Sequence, residues 1–116
     1  MKLQGKVWGK TQSIFQNHTF ELHRIEVKKG GFCSTHKHQH KYNAFYIEKG
    51  KLKIKIHQTD YDLVDETIIS TGELTVVTPD LYHSFEALES TICYEIYWGK
   101  FSHDDIQRKN VGGVDA

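Results

Sequence analysis

The chain has 116 residues, with fifteen basic side chains balanced by fifteen acidic ones, and is 38% hydrophobic and 12% aromatic. This length predicts a single domain over residues 1–116, and the aromatic content excludes a disordered chain. The zero net charge argues against a duplex-binding basic face or a polybasic membrane patch, both of which need surplus Lys and Arg. Eight histidines against two cysteines and one proline make the one unusual count.

No apolar run follows Met1-Lys2-Leu3-Gln4, and no stretch approaches the ~20 apolar residues of a membrane span. The expectation is therefore a cytoplasmic protein without a leader. Phe20 to Val27 reads as a strand closed by the turn residues Lys28-Lys29-Gly30-Gly31. His40 to Ile47 reads as a second, aromatic-rich strand. Leu52-Lys53-Ile54-Lys55-Ile56 alternates strictly, with aliphatics on one face and lysines on the other. Gly50 between these runs predicts a tight hairpin. Gln58 to Glu66 is polar and reads as a loop or short edge strand. Thr67-Ile68-Ile69, Leu74 to Val77 and Ser90 to Trp98 continue the β pattern, broken at Thr71-Gly72 and Pro79-Asp80. Only Ser102 to Arg108 starts like a helix, with Ser102 as N-cap and Asp104-Asp105 in the first turn. Many closely spaced short strands predict an all-β sandwich or barrel. Cys33 and Cys93 form no CxxC pair and read as small buried hydrophobes.

The histidines concentrate in His36-x-His38-x-His40. In an extended strand these would point to one side, about 6.5–7 Å from one to the next, close enough for neighbours to share a metal. The same residues read equally well as a solvated polar strand face. His83, after Pro79-Asp80-Leu81-Tyr82, would add a further ligand if its strand lies across the barrel.

Gly30, His36-x-His38, Asn43 and Gly50 stand at the spacing of the first cupin motif, with Asn43 where that motif has Glu. Gly72, Pro79 and His83 resemble the second motif, which ends in a ligand histidine. The chain is thus similar to the cupins, which implies a double-stranded β-helix (a jelly-roll barrel) with a short C-terminal helix. It also implies a metal held by His36, His38, Asn43 and His83. A nearer resemblance is to the C-terminal cupin domain of type II mannose-6-phosphate isomerases. Trp8-Gly9, Phe20, Arg24-Ile25-x-Val27, Gly30, Ser34, His38, His40, Gly50, Pro79, His83, Glu95, Gly99, Phe101 and Asp104-Asp105-Ile106-x-Arg108 carry it. Three positions depart from that family: His36 stands for its Gln, Asn43 for its Glu, and Asp80 for a turn glycine. The resemblance covers the cupin domain alone, and no fused guanylyltransferase domain is expected in a chain of this length.

The resemblance implies a sugar-phosphate aldose–ketose isomerase, with His40 and Glu95 as catalytic candidates. Lys41, Lys53 and Arg108 are available as cations for the phosphate. For Lys53, solvation on the polar strand face is the stronger reading, and Arg108 could equally pair at the helix. Three imidazoles favour zinc as the divalent ion, with Fe(II), Ni, Mn or Co as alternatives. The missing carboxylate leaves two further readings open. One is a three-histidine Fe(II) dioxygenase, assisted by Tyr42, Tyr46, Tyr82 or Tyr94. The other is a non-catalytic cupin that binds a sugar or another small ligand. The expected partners are a small molecule, a phosphorylated sugar as the resemblance implies, and a second copy of the chain, because exposed sheet edges favour pairing into a homodimer. Neither nucleic acid nor a membrane is expected.

Overall fold

The computed structural model describes residues 2–58 and 62–99. Nine strands are found among them: β1 (Lys2–Lys6), β2 (Gly9–Gln16), β3 (Phe20–Val27), β4 (Tyr42–Lys49), β5 (Lys51–His57), β6 (Val64–Ser70), β7 (Leu74–Val77), β8 (Tyr82–Ala87) and β9 (Thr91–Trp98). They form two antiparallel sheets, one of six strands in the order β1-β2-β3-β9-β4-β7 and one of three in the order β6-β5-β8. The expected helix at 102–108 and Arg108 lie outside the described residues. No helix among the described residues is long and apolar enough to cross a membrane.

Alternation places the core. Leu52 and Ile54 of β5 are fully buried, while Lys53 between them faces outward and pairs with Glu66 at 3.9 Å. On the large sheet, Ile25, Cys93 and Ile47 stand side by side across β3, β9 and β4, and all three are buried. Phe45, Val77, Phe85 and Ala87 complete this apolar end. Two residues further along the strands the inward positions turn polar. Ser13, His23 and Glu95 form one register row, and Glu21, Tyr97 and Asn43 form the next. The barrel therefore has a dry end and a polar mouth.

Two expectations change. Gly50 does not close a hairpin, because β4 and β5 lie in different sheets. It turns the chain from one sheet to the other at φ +107°, and a Cβ there would stand 2.5 Å from the Ser90 carbonyl oxygen. An isolated strand pattern cannot tell a hairpin from such a corner. The histidine run is not a strand either. β4 begins at Tyr42, and residues 39–40 form a bend. The segment around Trp8 packs on the barrel. It is the turn between β1 and β2, two strands that extend the large sheet, and Trp8 packs edge-on against Phe85 with ring centroids 5.1 Å apart.

Candidate metal centre

The segment from Gly31 to His38 runs along β8 and carries the first histidines into the barrel. Cys33 N donates to the Phe85 carbonyl at 3.2 Å, and His36 and His83 exchange backbone hydrogen bonds of 3.0 and 2.8 Å. Asp80 N donates to the His38 carbonyl at 2.7 Å, fixing the far end of the segment. Asp80 holds φ +66°, the left-handed region that asparagine and aspartate tolerate better than other non-glycine residues.

This backbone scaffold brings His36, His38 and His83 together, with their ligating nitrogens within 4.8 Å of one another. Among the described residues no other trio of His, Cys, Asp or Glu forms such a group. His36 Nδ1–H donates to the Ser34 carbonyl at 2.8 Å, and His83 Nδ1–H donates to the Leu81 carbonyl at 2.9 Å. A backbone carbonyl can only accept, so both rings carry their proton on Nδ1 and present a bare Nε2 lone pair. This is the support that metal-ligating histidines ordinarily receive. His38 Nε2 is buried with no hydrogen-bond partner. Burial, followed by the neighbouring His36, His83 and Lys41, pushes His38 down to about 4, and burial likewise lowers His83. These shifts favour the neutral form of His38 and His83, the form that ligation requires.

Asn43 completes the set. Its side chain is buried beside His83, with Oδ1 3.2 Å from His83 Nε2. With the His83 proton on Nδ1, that contact sets two acceptors face to face with no hydrogen between them. A shared cation resolves such a pair, and so the donor chemistry fits a divalent metal on three imidazoles and one amide oxygen. The orphaned His38 nitrogen is relieved in the same way.

The remaining candidates divide. Glu95 lies at the mouth, where Tyr97 Oη donates to its Oε2 at 2.6 Å. Burial raises the Glu95 carboxyl despite this bond, and burial together with Glu95 pushes the Tyr97 hydroxyl far up, so that it remains a donor. Tyr97 also meets the His38 ring edge-on at 5.2 Å, which links the Glu95 carboxyl group to the histidine cluster. Lys41 reaches the same mouth, 3.2 Å from Glu21 and 5.5 Å from the centre of the Tyr97 ring. His40 is exposed in the bend and is not brought to the cluster, and Lys53 stays on the outer face of the small sheet.

A cleft of about 960 Å³ opens onto these groups, lined among others by Lys6, Trp8, Ser13, His23, His36 and Glu95. Sequence reading assigned no role to Lys6, Glu21, His23 or Tyr97. The period-2 pattern of β3 and β9 puts Glu21, His23, Glu95 and Tyr97 on the same inward face, a signal that was available once Ile25 and Val27 were taken as core.

No protein-family model matches the sequence, and no curated protein matches it. Solved structures do match. KdgF from a Halomonas species superposes with a TM-score of 0.73 at 13% identity, over 87% of this chain and 90% of that one. An RmlC-like cupin from Shewanella frigidimarina gives 0.70 at 18% identity, over 90% and 86%. The Bacillus subtilis oxalate decarboxylase, a protein with Mn(II) centres, gives 0.75 at 17% identity, over 90% of this chain but 29% of that one. At these identities the likeness establishes the fold, and the fold is that of the cupins.

Proposed function

We propose that this cupin-fold chain is a metal-dependent isomerase that interconverts an aldose phosphate and a ketose phosphate, of the mannose-6-phosphate type. One observation carries the reading. The Glu95 carboxyl group shares a cleft with His36, which clusters with His38 and His83 beside the Asn43 amide oxygen, a donor set that suits a divalent ion. His36, His38, His83 and Asn43 would hold that ion, with zinc the first choice for a nitrogen-rich set and Fe(II), Ni, Mn or Co the alternatives. The Mn(II) centres of the oxalate decarboxylase, which shares the fold, support a metal in this barrel. When bound, a divalent ion polarises the sugar's carbonyl and hydroxyl oxygens and so acidifies the adjacent C–H.

The protein's own groups would do the rest. Glu95 takes the proton from one carbon and returns it to its neighbour, which requires a base within hydrogen-bond reach. Tyr97 holds the carboxylate through its 2.6 Å hydrogen bond. Lys6 in the cleft wall and Lys41 at the mouth supply cations for the phosphate. Trp8 offers an apolar face against which a sugar ring can lie. The proposal includes a homodimer, favoured by the unpaired outer edges of β1, β6 and β7.

A coupled assay for conversion of mannose-6-phosphate to fructose-6-phosphate, run with each metal in turn, tests the reading. Turnover that disappears in His38→Ala and His83→Ala supports it. Stoichiometric metal without turnover refutes it. A second reading draws on the absence of any carboxylate from the histidine group. Three-histidine sites of that kind suit Fe(II) dioxygenase chemistry, and oxygen uptake on a thiol substrate would establish it. Metal binding with neither activity would mark a small-ligand-binding cupin.

A further inference from the structure

His23 lies on the inner face of β3, directly opposite Glu95 of β9 in the sheet register, and both line the same cleft. Its Nε2 is 3.2 Å from Glu21 Oε1. A carboxylate accepts, so Nε2 carries the donated hydrogen and Nδ1 is left with no protein partner among the described residues. Glu21 is itself fixed. Burial opposes its ionisation, but the hydrogen bonds from Lys41 and His23 outweigh that and hold its carboxyl below the ordinary value. Lys41 Nζ reaches Glu21 Oε2 at 3.2 Å, and the His23 ring meets Tyr97 edge-on at 5.9 Å. The result is a chain Lys41–Glu21–His23 whose last member presents a free ring nitrogen beside the carboxylate already assigned as the base.

We propose that His23 is the second proton-transfer residue of this cleft, acting on the substrate's oxygens while Glu95 acts on its carbons, with Glu21 as its positioning residue. The inference rests on the isomerase reading and supplies what that reading leaves undone. Moving a hydrogen between two carbons also requires a hydrogen to move between their two oxygens. In the forward direction Glu95 removes the proton from C2, and the C–H electron pair becomes the C1–C2 double bond. The carbonyl π pair moves to O1, which takes the proton from Nδ1 of the His23 imidazolium and yields the enediol. Neutral His23 then removes the proton from the O2 hydroxyl. The O2 pair forms the new carbonyl, the double-bond pair takes the Glu95 proton at C1, and both residues end in their starting states. No outside oxidant or reductant is needed.

The groups that face His23 are Glu21 from its own strand and Glu95 and Tyr97 from β9, with Ser13 of β2 as a non-titrating neighbour and Lys41 acting through Glu21. The experiment compares wild type, His23→Gln and Glu21→Gln for mannose-6-phosphate isomerisation, with kcat and KM measured across pH. General acid–base groups contribute roughly 10²–10⁴-fold. His23→Gln is therefore expected to lose about that factor in kcat with KM little changed, and to lose the kcat–pH limb that reports an imidazole. Glu21→Gln is expected to lose a smaller factor, about tenfold, and to move that limb rather than erase it. A metal-induced thermal shift equal to wild type in both variants establishes that barrel and metal centre are intact. Two further measurements do not depend on turnover. In the metal-free protein, imidazole nitrogen NMR should show His23 with its hydrogen on Nε2, and Glu21→Gln should disturb that preference. An active wild type whose kcat survives His23→Gln overturns the inference and leaves the isomerase reading standing. A wild type that binds metal but isomerises nothing overturns both.

Discussion

Truncation of His38 gives opposite results with and without metal, and the sizes follow from its surroundings. In the metal-free protein His38 Nε2 is buried without a partner, a state that costs about 1–3 kcal/mol. His38→Ala removes that penalty along with the ring's contact with Tyr97, whose centroid lies 5.2 Å away. These effects oppose each other, so the metal-free variant should lie within about 1 kcal/mol of wild type. With metal the balance changes. A ligand at 100 times its dissociation constant stabilises the folded state by about 2.7 kcal/mol. For a domain of this length that corresponds to a Tm rise of about 10 °C. Wild type should show this rise on addition of zinc, nickel, cobalt, manganese or Fe(II) after chelator treatment, and His38→Ala should lose most of it. Differential scanning calorimetry of both proteins, metal-free and metal-loaded, reads all four values. A wild type indifferent to every one of these metals, or a variant that keeps the full rise, would refute the reasoning.

Gly50→Ala should destabilise by about 2–4 kcal/mol in urea titration, since it combines a positive φ with a Cβ 2.5 Å from the Ser90 carbonyl oxygen. A loss below about 0.5 kcal/mol would mean the corner relaxes freely. Phe45→Ala, at a fully buried site against Phe85, should cost about 3–5 kcal/mol by the same titration. The Cys33 thiol is pushed up to about 11, chiefly by burial, so at pH 8 only about one thiol in a thousand is ionised. Iodoacetamide should label it roughly a hundredfold slower than a free cysteine, with the rate rising about tenfold per pH unit up to pH 11. Labelling at the rate of free cysteine would show an open, acidic thiol.

Much of the fold was legible because strand alternation is local. The Leu52–Ile56 run within β5 is readable from period 2 alone, and Phe20–Val27 and Leu74–Val77 from apolar content bounded by turn signals. Two of the turn signals, Gly30 and Gly72, also sit at positive φ. Gly50 was misread because a turn residue reports a change of direction and not the strand that comes next. His36, His38 and His83 were picked out by spacing. That same spacing suggested one straight strand, and this grouped His40 with them when the bend at 39–40 leaves it exposed. His23 went unassigned because a lone histidine in a β pattern carries no local mark of function.

Composition and periodicity thus determined an all-β chain with no net charge and an excess of histidine to explain. Tertiary structure decided which histidines meet. His83 reaches the 31–38 segment through backbone hydrogen bonds between residues 47 positions apart, and His23 faces Glu95 across a register set by β3 and β9. Such pairings depend on long-range register, which is fixed by packing a whole core face at once. Side-chain spacing along the chain carries no record of it. The tautomers of His36 and His83 follow from carbonyls at Ser34 and Leu81 only two residues away, yet they acquire meaning only when the bare nitrogens converge. The histidine cluster is therefore local in its donors and tertiary in its assembly.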